Sequence, residues 1–103
     1  MLVTITSRHD EVAAALRERA EVLVQRLAKL AHRPSRAQVE FDLDHQACTA
    51  EIQLHAAGGA LHVATAEAND HRTALDRAAA KLRRQLDKKP TTRQRRAGPR
   101  KED

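Results

Sequence analysis

The chain is poor in aromatic residues: among its 103 residues there is one phenylalanine, and there is no tryptophan or tyrosine. Domains that read single-stranded RNA on an open β-sheet stack the bases on exposed aromatic rings, so we do not expect a protein of that class. Hydrophobic residues still make up 41% of the chain, and many of them are alanine. The sequence therefore predicts one domain with a thin, aliphatic core.

Cysteine and long apolar segments are also scarce. Cys48 is the single cysteine, which excludes an intrachain disulfide and a zinc site built on thiolates alone, and favours a reducing compartment. No stretch approaches the about 18 consecutive apolar residues of a membrane span, and the first residues lack the pattern of a secretion signal. We therefore expect a cytoplasmic protein that has no membrane partner.

Positive charge is concentrated in the last third of the chain. Residues 1–70 contain seven Lys and Arg against ten Asp and Glu, a net charge of −3, whereas residues 71–103 contain twelve against four, a net charge of +8. A positive field concentrated on one element is typical of proteins that dock on phosphate. A charge-rich helix that is merely solvated is the alternative interpretation.

The hydrophobic periodicity changes early in the chain. A β-branched run over residues 2–7 predicts a first strand. Apolar residues then recur at spacings of three and four, which predicts a helix from about Asp10 to Ala31, capped by Ser7 or Asp10 and ended by Pro34. Its expected buried stripe consists of Val12, Leu16, Ala20, Leu23, Leu27 and Leu30.

Three alternating segments follow and predict three half-buried strands. In the first of them Val39, Phe41 and Leu43 share the inward face. The other two are joined by Gly58-Gly59, whose glycines permit a two-residue hairpin turn. That turn sets Leu54 opposite Val63 and Ala56 opposite Leu61, so the expected inward residues of the last strand are Leu61, Val63 and Thr65.

A second helix is expected between a cap at Asn69 or Asp70 and Pro90. Its predicted buried stripe consists of His71, Leu75, Ala78, Leu82 and Leu86. Residues 90–103 contain no apolar periodicity and many Arg and Lys, so we expect a disordered basic tail there. The predicted organisation is therefore a domain over residues 1–89 followed by that tail.

The order β-α-β-β-β-α predicts an α+β fold in two layers, a four-stranded mixed sheet with both helices packed on one face. The first strand should lie parallel to its neighbour across the helical crossover, and the last three strands should form an antiparallel meander.

Four cations of the second helix, Arg77, Lys81, Arg84 and Lys88, are spaced so that they lie on one stripe away from the apolar residues. Stacked like charges repel, and a polyanion would relieve that repulsion, so we interpret the stripe as an RNA-binding surface. The other members of the predicted RNA-binding set are Arg83, Lys89, Arg26, Lys29 and Arg33. The last three also suit the negative dipole end of the first helix.

The other face of the sheet should be acidic, because Glu40, Asp42, Asp44, Glu51 and Glu67 are expected to point there. RNA should avoid that face. Since the only aromatic residue, Phe41, is expected to point inward, binding should depend on phosphate contacts and on the shape of the RNA.

The six histidines raise the alternative of a metal-dependent enzyme, because the predicted hairpin register makes His55 and His62 neighbours on the exposed face. Catalytic zinc sites use three protein ligands, and no third ligand is defined by the pattern. Cys48 has no evident histidine partner and is interpreted as a structural thiol. We expect no enzymatic activity, no metal, no cofactor and no small-molecule substrate.

The sequence of the second helix resembles that of a known family, the ribosome hibernation promoting factors. They are also called ribosome-associated translation inhibitors or sigma-54 modulation proteins. Their signature AID-x4-KL-x-RQL-x-K is similar to Ala74-Leu75-Asp76, Lys81-Leu82, Arg84-Gln85-Leu86 and Lys88. Further similarities, spread over about residues 2–89, are Ile5-Thr6, Ala15-Leu16-Arg17, Gly58-Gly59, Ala66-Glu67 and Asp70. His71-Arg72 departs from the apolar residue and tyrosine that are common in the family.

The resemblance implies the same β-α-β-β-β-α fold and binding to the small ribosomal subunit and its rRNA, in the channel for messenger and transfer RNA, with inhibition of translation. Lys81, Arg84 and Lys88 match the family's basic positions, whereas Arg77 and Arg83 are supported by the charge argument alone. The sequence resembles the short members, which lack a second domain. A general double-stranded RNA-binding protein or RNA chaperone is the alternative hypothesis.

Overall fold

The computed structural model of the protein describes residues 1–8 and 11–88, with only the backbone of Lys88. Four strands and two helices follow one another in the predicted order. They are β1 (Leu2–Ser7), α1 (Ala14–Ala28), β2 (Arg36–Asp44), β3 (Ala47–His55), β4 (Leu61–Ala68) and α2 (His71–Lys88), with a short 3-10 turn (Ala57–Gly59) between β3 and β4. The predicted tail, residues 90–103, lies outside the described residues.

The strands form one sheet in the order β1-β2-β3-β4. β1 is parallel to β2, because α1 carries the chain back between them, and the other two pairings are antiparallel. Both helices cover the same face of this sheet, which leaves the opposite face open. The predicted α+β fold, with its mixed four-stranded sheet, is confirmed.

The core lies between the helices and the sheet and consists almost entirely of aliphatic side chains. Phe41 is its one aromatic residue and is 1% exposed. Alanines on both sides of the interface are fully buried: Ala20 and Ala78 on the helices, and Ala37 and Ala50 on the sheet. Their small side chains let the helix backbones lie close to the neighbouring elements. The largest fully buried side chains are Phe41, Ile52, Leu54, Leu75, Leu82, Val24 and Val39.

Helix α1 is shorter than predicted, since it runs from Ala14 to Ala28 rather than from about Asp10 to Ala31. The predicted cap Ser7 belongs to β1, Asp10 lies outside the described residues, and the residue before the helix, Ala13, makes no side-chain cap. After Ala28 the chain leaves the α-helical pattern. The Leu30 and Ala31 amides donate to the carbonyls three residues earlier, those of Leu27 and Ala28, as in a 3-10 turn. Leu30 is therefore 42% exposed, and the prediction that it is buried was wrong.

The predicted hairpin register was also wrong, by one residue. Leu54 lies opposite His62 rather than Val63, and Leu61 lies opposite His55. Because neighbouring residues of a strand point to opposite faces, this shift exchanges the inward and outward residues along the whole of β4. The inward residues of β4 are Ala64 and Ala66, each 5% exposed, whereas Leu61 is 51% exposed.

The turn explains the shift. The Ala56 amide donates to the Ala60 carbonyl at 2.9 Å, so the loop between these residues contains three residues, Ala57 as well as the two glycines. Gly58 and Gly59 have φ of 74° and 76°, a left-handed conformation that glycine adopts without steric cost. The sequence indicated the position of the turn correctly, but not its length.

Helix α2 begins as predicted at a cap on Asp70. The Asp70 carboxylate accepts hydrogen bonds from the Thr73 amide at 2.8 Å and from the Thr73 hydroxyl at 3.0 Å. These bonds, above all the one from the amide, lower the pKa of Asp70 from its ordinary value of 3.8. In the described part of the chain, neither helix is long and apolar enough to cross a membrane.

Candidate nucleic-acid interface

Both helices run in the same direction over the sheet. Their amino-terminal turns line one groove, in which Leu16 of α1 lies near Arg72 of α2. Five residues into each helix, Arg19 and Asp76 form an ion pair with an Nε to Oδ1 distance of 3.2 Å. The carboxyl-terminal halves of α1 and α2 therefore lie at the same end of the molecule. Apart from Arg77, the predicted RNA-binding residues whose side chains are described lie in or just after these halves.

Within α2 the predicted cations have different surroundings. Arg77 and Lys81 donate to backbone carbonyls of β4, while Arg83 lies 3.7 Å from the Asp87 carboxylate one turn on. Arg84 is exposed and has no hydrogen-bond or ion-pair partner among the described residues. Among the four predicted α2 cations whose side chains the structure describes, Arg84 is thus the one that is available to a ligand without a competing contact.

The carboxyl-terminal positions of the predicted set are described only in part. Lys88 is the last residue of α2, and its side chain is outside the described structure, as is the whole of Lys89. They remain predictions.

The predicted α1 cations lie on the opposite flank of the helix layer. Arg26 and Lys29 line a groove between α1 and β1, together with Met1 and Val3, whereas Arg77 contacts β4 at the far edge of the sheet. Three strand spacings, about 14 Å, separate β1 from β4. The structure therefore divides the predicted continuous surface into two flanks that share one end of the molecule.

Arg33 belongs to neither flank, because it lies in the loop between α1 and β2. Its backbone adopts a left-handed conformation with φ of 52°, and its side chain is exposed. This places the residue at the end of the molecule where the carboxyl termini of both helices lie, so it can extend the basic surface there.

A feature that sequence reasoning missed joins α2 to β4. Arg77 Nη1 donates to the Glu67 carbonyl at 2.9 Å, and Lys81 Nζ donates to the Thr65 carbonyl at 2.8 Å. Gln85 Nε2 continues the series with a 2.8 Å bond to the Val63 carbonyl. We call Arg77, Lys81 and Gln85 the edge cap.

The signal for the edge cap is present in the sequence. Long side chains with hydrogen-bond donors recur every four residues of a helix that directly follows a strand. Recognising it requires the knowledge that β4 is the last strand of the sheet, which the pattern of residues alone does not provide.

The open face of the sheet carries the predicted acidic residues, and the strand register brings them together. Glu40 of β2 lies directly opposite Glu51 of β3. Arg8 approaches this cluster, with its Nε 3.0 Å from Glu40 and 3.8 Å from Asp42. The hydrogen bond to Glu40 and the nearby carboxylates raise the pKa of Arg8.

Phe41 is not available for base stacking, because its ring packs in the core against His71. The two ring centroids are 5.5 Å apart in an edge-to-face arrangement, and the His71 Nε2 lies 2.8 Å from the Asp42 carbonyl. His71 therefore takes part in the packing of α2, as its place in the predicted buried stripe implies. The chain has no other aromatic residue of the Phe, Trp or Tyr type.

His55 and His62, on which the metal hypothesis depended, are not neighbours on one face of the sheet. His55 faces the open side of the sheet, whereas His62 lies opposite Leu54 and points to the helix side. Within residues 1–8 and 11–88, no group of three His, Cys, Asp or Glu side chains is placed to hold a metal ion. Cys48 is half-buried, with its Sγ 3.6 Å from the Asn69 carbonyl, as expected of a structural thiol.

Comparison with known proteins points to one family. The family described as sigma 54 modulation protein / S30EA ribosomal protein matches residues 3–94. Among solved structures, a ribosomal subunit interface protein from Coxiella burnetii has a TM-score of 0.77 and 22% identity, covering 89% of this chain and 100% of that chain. The N-terminal domain of Thermus thermophilus Protein Y has a TM-score of 0.72 and 28% identity, covering 84% and 96%. No curated protein matches significantly.

Proposed function

The chain belongs to the family of sigma 54 modulation proteins and S30EA ribosomal proteins, and we propose that it is a ribosome hibernation factor. In this proposal it binds the small ribosomal subunit in the channel for messenger and transfer RNA and inhibits translation by occupying that channel. The observation that carries the proposal is the family match, which spans all four strands and both helices. A ribosomal partner also implies that the protein acts in the cytoplasm.

The family resemblance predicted from the second helix is thereby confirmed. Members of this family associate with ribosomes and modulate translation, and they are not enzymes. This agrees with the expectation of a non-enzymatic protein and with the position of His55 and His62 on opposite sides of the sheet.

The distribution of charge supports an orientation on the ribosome. The helix layer carries cations along its length, among them Lys81, Arg83 and Arg84 in the second half of α2, whereas Glu40 and Glu51 occupy the middle of the open sheet face. Since rRNA presents phosphates, the helix layer should face the RNA and the acidic face should point away from it. Arg84 is the central contact in this orientation, with Arg26, Lys29 and Arg33 at the same end.

The form of RNA recognition follows from the absence of an exposed Phe, Tyr or Trp ring. With Phe41 1% exposed, the protein has no platform of such rings for base stacking, so we expect the interaction to depend mainly on phosphate and sugar contacts and on the shape of the folded RNA. Such contacts release counterions and make the affinity strongly salt-dependent.

The test is co-sedimentation of the full chain with isolated small subunits, measured beside binding to a naked RNA duplex over a range of salt concentrations. We expect binding to the subunit, much weaker binding to the duplex, and a loss of about 100-fold in affinity between about 50 and 200 mM salt if roughly four phosphates are neutralised. Equal affinity for the naked duplex would favour the general RNA-binding alternative. Salt-insensitive binding would contradict the electrostatic interface.

Occupancy of the channel is tested separately, by adding the protein to a cell-free translation system before or after messenger and initiator transfer RNA have bound. Inhibition should be strong when the protein is added first and weak when the RNAs occupy the channel. Inhibition that does not depend on the order of addition would overturn the proposed binding site, although ribosome binding itself would stand.

A further inference from the structure

Strand β4 has the properties of a strand that can pair with another chain. In the sheet formed by residues 1–8 and 11–88 it is the last strand, so one of its two edges has no neighbouring strand among these residues. Residues 61–66, Leu-His-Val-Ala-Thr-Ala, contain no Asp, Glu, Lys or Arg, no proline and no glycine. Uncharged segments of this kind at a sheet edge are templates for strand addition.

The direction of the β4 backbone groups follows from the hairpin. The Ala56 amide bonds to the Ala60 carbonyl, and antiparallel strands alternate between residues that bond across the ladder and residues whose amide and carbonyl point outward. Val63, Thr65 and Glu67 are therefore the outward residues, and their carbonyls are the three that the edge cap contacts.

The spacing of the edge cap matches the spacing of these carbonyls. Four residues of an α-helix rise about 6.0 Å and two residues of a strand rise about 6.8 Å, so donors at Arg77, Lys81 and Gln85 stay in step with every second residue of β4. α2 runs antiparallel to β4, because the later donors reach the earlier carbonyls.

The presence of glutamine in this series is informative. Gln85 carries no charge, yet it makes the same bond as the two cations at the next repeat of the spacing. Phosphate binding alone does not explain a neutral side chain at this position. A bond to a backbone carbonyl requires a donor but no charge, and glutamine provides that donor. The edge cap thus follows the geometry of the strand.

We propose that the edge cap keeps β4 from pairing with the β4 strand of a second copy of this chain. Two copies related by a two-fold axis could join their sheets through antiparallel β4 strands, with Val63, Thr65 and Glu67 supplying the outward hydrogen-bonding groups. The three side chains of α2 occupy the carbonyls that this pairing needs. The inference does not depend on the proposed ribosomal function.

The test removes two donors without altering the core. In the full-length variant Lys81→Met/Gln85→Met the carbonyls of Thr65 and Val63 lose their partners, while both new side chains stay on the exposed face of α2. Analytical ultracentrifugation of the RNA-free protein should show an apparent mass at least twice the 11.5 kDa of the chain at concentrations where the parent sediments as a single copy.

Two matched variants separate the edge cap from charge and from surface hydrophobicity. Lys81→Gln loses the same charge as Lys81→Met but keeps a donor of the kind that Gln85 already provides, so it should behave as the parent. Arg83→Met/Arg84→Met adds two methionines to the same helix and loses more charge, but leaves the edge cap intact, so it too should not associate.

Hydrogen exchange identifies the surface that associates. The amides of Val63, Thr65 and Glu67 should become protected in the associated form of Lys81→Met/Gln85→Met and not in the other two variants. Circular dichroism checks that each variant is folded. The proposal is overturned if the uncapped variant is folded and sediments as the parent does, if Arg83→Met/Arg84→Met associates equally, or if association leaves the β4 amides unprotected.

Discussion

The two faces of the sheet are built from the same strands but have opposite characters. In the middle of the sheet, the residues of β2 and β3 that point to the helices, such as Val39 and Ile52, are apolar and buried, whereas Glu40 and Glu51 point away and are acidic. The helices that cover the first face carry most of the cations of the described residues. The alternation along the strands thus determines both the core and the sign of the exposed surface, so a shift of one residue changes both.

The largest effect should distinguish the covered face from the open one. Leu82 of α2 is 0% exposed, and Leu82→Ala should cost about 2 to 5 kcal/mol in the free energy of unfolding, because it leaves a cavity in the core. Leu61, on the open face, is 51% exposed, and Leu61→Ala should change the same free energy by less than about 0.5 kcal/mol.

Urea denaturation of both variants and the parent provides the measurement. A cost for Leu61→Ala comparable with that of Leu82→Ala would indicate that Leu61 is inward, as the two-residue turn required, and would contradict the three-residue turn at Ala57–Gly59.

A smaller effect should separate the two faces in ribosome binding. Arg84→Glu reverses a charge on the helix layer, and Arg36→Glu makes the same change of charge on the open face, where Arg36 lies in register with His55. Arg84→Glu should lower the affinity for small subunits by about tenfold or more at about 0.1 M salt, because it removes a phosphate contact and adds repulsion. Arg36→Glu should change it little.

The two variants have the same net charge, so co-sedimentation with small subunits compares them directly. Thermal melting of both variants checks that a loss of affinity is not caused by unfolding. Equal losses for the two variants would mean that overall charge, rather than the helix layer, controls binding. A larger loss for Arg36→Glu would reverse the proposed orientation.

The smallest effect concerns the Asp70 cap at the start of α2. The pKa of Asp70 is lowered by its bonds to Thr73, so its stabilisation is complete above the unfolded value of 3.8 and is lost as the pH falls through the lower folded value. Asp70→Ala should therefore lower the melting temperature at pH 6, and the difference from the parent should shrink below pH 3.8. Asp70→Asn keeps an acceptor without a charge, so its melting temperature relative to Asp70→Ala should be independent of pH over this range.

Calorimetric melting of the three proteins between pH 6 and pH 2.5 is the measurement. A difference between the parent and Asp70→Ala that stays constant down to pH 2.5 would show that the ionised carboxylate is not responsible for the capping.

Much of this protein follows from local chemistry. The alternation around Val39 and Phe41, the stripe of Leu75 and Leu82 and the cap at Asp70 identify the elements and their order, because side-chain period and capping act within a few residues. The residues of α2 also carry the family resemblance. The position of the acidic face follows from the same alternation, since Glu40 and Glu51 lie between inward residues of strands whose inward and outward faces were predicted correctly.

The tertiary structure decided what local patterns leave open. The third turn residue, Ala57, moved the register of β4 because the strand follows whichever turn closes against β3, and Gly58-Gly59 is compatible with either length. The division of the cations between the β1 and β4 flanks depends on which strand each helix covers. Arg77 and Lys81 donate to β4 because that strand is the edge of the sheet, and the position of an edge is a property of the assembled sheet rather than of any segment.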